Sequence, residues 1–91
     1  MTKTELIGRM AEAAGISRDQ AKLALEAFTD QVTGALVQGR DVRLGGFGSF
    51  VAVYRKAGVA RNPQTGEEIA RPASRTARFR PGEGLKSALN G

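Results

Sequence analysis

The chain has 91 residues, a net charge of +5 and an isoelectric point near 10.5. It contains neither cysteine nor histidine, which excludes a disulfide framework, the usual zinc sites and every Ser/His or Cys/His catalytic pair. A chain this size buries a limited fraction of its surface, so with those devices gone a partner chain is the remaining source of stability.

Two helices are expected first. Thr2 followed by Glu5 is a capping-box pattern, and Leu6, Ile7, Met10, Ala11 and Ala14 recur at helical spacing until Gly15. Ser17 with Gln20 repeats the signal, and Ala21, Leu25, Phe28, Val32, Ala35 and Leu36 form a longer apolar stripe that Gly39 stops. The pair has the shape of a helix–turn–helix hairpin. Arg18, Asp19, Gln20 and Lys22 stand where a DNA-reading helix would carry its base contacts. The length and apolar stripe of the second helix favour burial and dimer packing instead.

"DVRL" reads as a short strand with Val42 and Leu44 on one face, and the glycines of "GGFGSF" allow a tight turn around Phe47. Phe47, Phe50 and the distant Phe79 read as core aromatics at the base of a long β-arm. From Val51 the chain alternates: Val51, Val53, Arg55, Ala57, Val59 and Arg61 fall on one face of a strand spanning roughly 35 Å. "RNPQTG" at 61–66 reverses the chain. On the return, Arg71, Ala73, Arg75, Ala77 and Phe79 share parity against Ser74, Thr76, Arg78 and Arg80. Pro72 lacks a ladder donor, which suits an edge or a break in pairing. An isolated two-stranded ribbon is marginal in water, so the outer arm is expected to stay mobile until a partner orders it. Pro81 and Gly82 precede a short last helix holding Leu85, Ala88 and Leu89.

The charge is not spread evenly. Six basic and six acidic residues cancel over 1–50, whereas 51–91 carries eight basic residues against three acidic ones. A neutral body bears a basic arm, and a basic arm favours an anionic partner through attraction and counterion release. Six of the arm's seven cations are arginine (55, 61, 71, 75, 78 and 80), with Lys56 the seventh. Arginine's planar fork suits phosphate and a narrow minor groove. A solubilising edge that discourages sheet aggregation is the alternative, although lysine is the usual residue for it. No apolar run approaches a membrane span and "MTKTELIGRM" lacks a signal-peptide core, so the chain is expected to be soluble and cytosolic. No residue constellation supports an enzyme, a cofactor or a metal.

Several motifs carry a resemblance. "GFGSFVAVYRKAGVARNPQTGEEI" followed by "RFRPGEGLKSALN", with the opening "TKTELI", resembles the HU and integration-host-factor family of bacterial histone-like DNA-binding proteins over essentially the whole chain. Gly58 departs from the family pattern, which usually has arginine, serine or threonine there. The resemblance implies an α+β fold in a single domain: a helical dimerisation body and sheet start over 1–50, a basic β-arm over 51–80 and a C-terminal helix over 81–91. Two chains would intertwine, a three-stranded sheet in each extending into a two-stranded ribbon that curls around double-stranded DNA in the minor groove.

Carried onto this sequence, the resemblance makes Pro63 the intercalating wedge, with Arg61, Asn62 and Gln64 beside it. Arg55, Lys56, Arg71, Arg75, Arg78 and Arg80 line the ribbon for phosphates, and Lys3 and Lys86 extend the surface along the body. Leu25, Phe28, Val32, Leu36, Phe47, Phe50 and Phe79 form the dimer core. The expected role is compaction of the bacterial nucleoid by a homodimer of low sequence preference. One subunit of an integration-host-factor-like heterodimer, or a basic protein–protein interaction module, stand as alternatives.

Overall fold

The computed structural model describes all residues, 1–91. The fold is α+β: α1 (Lys3–Ala14), α2 (Arg18–Val37), β1 (Val42–Leu44), β2 (Gly48–Arg55), β3 (Gly58–Arg61), β4 (Glu68–Arg71), β5 (Ser74–Pro81) and α3 (Glu83–Asn90). It divides into two compact units, Met1–Gly34 and Ala35–Gly91, with the division inside α2. No helix is long and apolar enough to cross a membrane.

In the first unit, local chemistry sets the helix ends. The Glu5 N–H donates to Thr2 Oγ1 at 3.2 Å, while the Glu5 carboxylate turns forward to Arg9, 3.7 Å away, so only half of the expected capping box forms. At Ser17 the box is complete: Gln20 N–H donates to Ser17 Oγ and Ser17 N–H to Gln20 Oε1, at 3.1 and 3.0 Å. Between them Gly15, in the left-handed region at φ 68°, closes α1. Its N–H and that of Ile16 take the Glu12 and Ala11 carbonyls, a Schellman closure. The buried core of this unit is Ile7, Ala11 and Ala21, with Met10 and Leu25 packed against it.

The second unit begins with the last turn of α2, which closes through Gly39 in the same way: Arg40 N–H reaches Ala35 O and Gly39 N–H reaches Leu36 O. The strands then form two sheets. β1, β2 and β5 make an antiparallel three-stranded sheet in the order β1-β2-β5, and β3 and β4 make a separate antiparallel pair. The expected single strand over 51–61 therefore starts earlier, at Gly48, and is interrupted at Lys56 and Ala57. The break has a partner on the return strand at Pro72 and Ala73. Proline cannot donate to the ladder, and alanine and lysine are poor strand formers, so four weak positions coincide.

Pairing nevertheless resumes without a slip. Arg55 pairs with Ser74 and Gly58 with Arg71, leaving two residues on each strand between the sheets. The whole length from Gly48 to Pro81 is one ribbon in one register.

At the root of the ribbon Phe50 pairs directly with Phe79. Their ring centroids are 5.1 Å apart at 54°, and Phe47 joins Phe79 at 5.5 Å and 55°. Such tilted contacts add about 0.5–1.5 kcal/mol each to the area they bury. α3 starts against the turn that carries Phe47. Gly82 N–H donates to Phe47 O at 2.8 Å and Leu85 N–H to Gly46 O at 3.2 Å, so backbone carbonyls satisfy helix-start donors where no side chain caps. This approach requires glycine in α3: a Cβ on Gly84 would lie 2.7 Å from Gly46 O.

The core of one chain is thin. Ile7, Ala11, Ala21 and Val51 are its only buried hydrophobic side chains. Burying an isoleucine or valine contributes about 1.5–3 kcal/mol, and alanine less, against an ordering entropy of roughly 1–2 kcal/mol for every residue fixed. Meanwhile Phe47 is 50% exposed, Phe28 40% and Phe79 38%, and Leu25, Val32, Leu36 and Phe50 are half-buried. The seven residues expected in a dimer core are thus half-buried or exposed in the single chain.

Four outcomes are expected. The unfolding midpoint should rise with protein concentration over the micromolar range, and sedimentation should give twice the 9.6 kDa chain mass. Gly84→Ala should destabilise by about 1–3 kcal/mol despite alanine's higher helix propensity. Gly34→Ala, in a helical position with nothing within 4 Å of the added Cβ, should instead stabilise by about 0.4–1 kcal/mol. Chemical denaturation of both variants reads the two signs.

Candidate nucleic-acid interface

The ribbon ends in a six-residue loop whose geometry follows from its sequence. Asn62 N–H donates to Glu67 O at 2.9 Å and Gly66 N–H to Asn62 O at 2.7 Å, closing one turn on itself. Asn62 Oδ1 accepts from Gln64 N–H at 2.9 Å, as at a helix N-cap. Pro63 occupies the next position, where its missing N–H costs nothing and its locked φ already fits. Thr65 Oγ1 accepts from Glu67 N–H at 3.3 Å, and Gly66 reverses the chain at φ 73°. The outcome is a rigid tip with the Pro63 ring exposed at its apex beside half-buried Asn62. The amide of Asn62, assigned beside the wedge, is also a structural part of the turn.

Strand register distributes the cations. In the three-stranded sheet, Arg55, Arg78 and Arg80 share a face with Val51 and Val53, because Arg78 pairs with Val51 and Arg80 with Ser49. Arg75 pairs with Tyr54 and lies on the other face, with Phe50, Ala77 and Phe79. In the outer pair, Arg61 opposes Glu68 and Arg71 opposes Gly58. Lys56 sits in the interruption between the sheets. Gly58, the family departure, is where the Arg71 guanidinium lies: Nη2 would be 3.4 Å from a Cβ built there.

Most of these side chains are exposed and lightly held. The Arg61–Glu68 ion pair spans 3.8 Å, with side chains 71% and 68% exposed, so it contributes at most about 1 kcal/mol. Lys86, in α3, stands 3.9 Å from Glu83 in a similar exposed pair. Lys3 is exposed at the first turn of α1, in the other unit. Gln64 is exposed in the tip. Arg75 differs: its Nη1 donates to the Val37 carbonyl at 2.9 Å.

Sequence reasoning assigned no partner to Arg61 and no turn bond to Thr65. Glu68 was legible only as a charge, since a cross-strand pair requires the register; the Thr-x-Glu spacing is the signal that would have shown the second bond.

A family model described as bacterial DNA-binding protein matches residues 1–90. DNA-binding protein HU of Caulobacter vibrioides is 64% identical over 89 residues, covering 98% of this chain and 97% of that one. The HU of Geobacillus stearothermophilus is 48% identical over 89 residues, covering 98% and 99%. Among solved structures, a cocrystal of Anabaena HU with DNA superposes with a TM-score of 0.88 at 37% identity, over 98% of this chain and 97% of that one. HU of Thermotoga maritima superposes at 0.69 and 30% identity, over 98% of each. With a family match along nearly its full length and relatives this similar, the chain belongs to the HU family of bacterial DNA-binding proteins.

Proposed function

We propose that two copies of this chain form an architectural DNA-binding protein that grips double-stranded DNA with its two ribbons and bends it. HU-type proteins are themselves established examples of minor-groove benders that insert apolar wedges, and that general mechanism is taken over from them. What supports it for this chain is the exposed Pro63 ring, held rigidly at the apex of a basic ribbon that keeps one register from root to tip. The 91 residues act as one DNA-binding domain, in the cytoplasm and on the nucleoid, with little sequence preference and no catalytic step.

The division of labour follows from side-chain chemistry. Pro63 is compact, apolar and locked, so it can enter a base step without losing conformational freedom of its own. Arg61, Asn62 and Gln64 stand around it toward the groove. Arg55, Lys56, Arg71, Arg78 and Arg80 hold phosphates along the ribbon, and Lys3 and Lys86 extend the basic track. Unstacking a step costs a few kcal/mol, offset by the additional backbone contacts that bent DNA makes with the protein. The Arg71 guanidinium lies beside Gly58, where the family usually has arginine, serine or threonine.

Two measurements test this. If about six to ten phosphates are neutralised by the dimer, duplex affinity should fall by roughly 10³–10⁵ between about 50 and 200 mM salt, alike for unrelated sequences. A slope near zero, or binding confined to one sequence, contradicts it. Pro63→Ala should lose bending, and the preference for nicked or kinked duplex, more than it loses affinity for plain duplex. Arg61→Ala should weaken every duplex and flatten the log–log salt slope by about one unit for each phosphate it no longer neutralises. Energy transfer between labelled duplex ends at saturating protein reads the bend. An unchanged bend in Pro63→Ala leaves Pro63 as a turn residue only.

A further inference from the structure

The ribbon arginines do not share one task, and Arg75 stands apart on three observations. It lies on the aromatic face of the root sheet, across from Tyr54 and away from Arg55, Arg78 and Arg80. It reaches back 38 residues to donate from Nη1 to the Val37 carbonyl at 2.9 Å. And the helix it reaches lacks any basic residue in its own last turn.

The carbonyls at the end of α2 show why that contact matters. Ala35 O accepts from Arg40 N–H at 2.9 Å and Leu36 O from Gly39 N–H at 3.0 Å, the two bonds of a Schellman closure. Val37 is the last helical residue, and its carbonyl lies beyond both. Arg75 takes it. A guanidinium is thereby placed at the negative end of a 20-residue helix, where a cation is favoured. In the ladder, Arg75 belongs to the last pair but one before the interruption at Lys56–Ala57 and Pro72–Ala73. The hydrogen bond therefore ties the root of the ribbon to the end of α2 just short of the place where pairing stops.

We propose that Arg75 is a positioning residue: it caps α2 and fixes the ribbon root, so that arm movement is confined to the segment beyond the interruption. The proposal rests on reading the ribbon as a DNA-gripping arm. It separates Arg75 from the phosphate-holding set: Arg75 makes the arm ready to close, and the other arginines hold the DNA.

The test uses the full-length protein with Arg75→Ala, Arg75→Lys and Arg78→Ala. Without DNA, amide hydrogen exchange at 52–55 and 74–78 should quicken by about two- to fivefold in Arg75→Ala, the range expected for one exposed cation at a helix end. Exchange in β3 and β4 should be unchanged, and Arg75→Lys, which keeps the charge, should restore most of the protection. With duplex DNA, Arg75→Ala should lower affinity by a similar factor at every salt concentration and leave the log–log slope as in wild type. Arg78→Ala should reduce that slope by about 0.9 for each phosphate it no longer neutralises. A reduced slope in Arg75→Ala makes Arg75 a phosphate-binding residue and overturns the proposal; unchanged exchange in that variant overturns it equally. If wild type fails to bind duplex while the exchange differences appear, the DNA-gripping reading fails and the capping of α2 by Arg75 stands.

Discussion

The pairing of β2 with β5 is the constraint on which the rest of the second unit depends. Phe50 opposite Phe79 sets the register at the root, and every later pair inherits it: Val51 with Arg78, Tyr54 with Arg75, Arg55 with Ser74. A slip of one residue would turn each side chain to the opposite face. Phe79 would leave Phe47 and Phe50, the Arg55–Arg78–Arg80 face would turn over, and Arg75 would point away from α2. The same register, resumed beyond the interruption, brings Arg61 opposite Glu68 and so places Pro63 at the apex.

The interruption gains its meaning from that continuity. A bulge or slip would rotate the outer sheet's faces relative to the root. Two unpaired residues on each strand remove ladder bonds while conserving facing, so the outer segment can bend without misdirecting its side chains. Pro72 and Ala57 stand opposite one another in this gap, which concentrates the weakness at one level of the ribbon. The side chains beyond it are largely exposed, and the Arg61–Glu68 pair there is weak by its exposure.

The thin core and the exposed aromatics belong to the same design. Few side chains are buried in one chain, so the half-buried stripe of α2 and the Phe47–Phe50–Phe79 cluster have more to gain from a second copy than from the chain's own fold. Dimerisation also doubles the basic surface, and counterion release grows with the number of phosphates met.

Much of this was written in local sequence. Thr2, Ser17 and Gln20, Gly15 and Gly39 mark helix ends because capping depends on neighbours only a few positions away. Asn62-Pro63 and Gly66 specify the tip for the same reason, and the confinement of charge to 51–91 needs no structure to be seen. Alternation likewise told which residues share parity. What only the tertiary structure decided depends on partners distant along the chain. The split of one expected strand into β2 and β3 required Lys56–Ala57 to meet Pro72–Ala73. The seating of α3 on the Gly46–Phe47 turn required carbonyls far upstream of their donors. Alternation already puts Arg75 and Arg78, three positions apart on one basic strand, on opposite faces. Only the fold decides which of those faces brings an arginine within hydrogen-bonding distance of the open carbonyl at the end of α2.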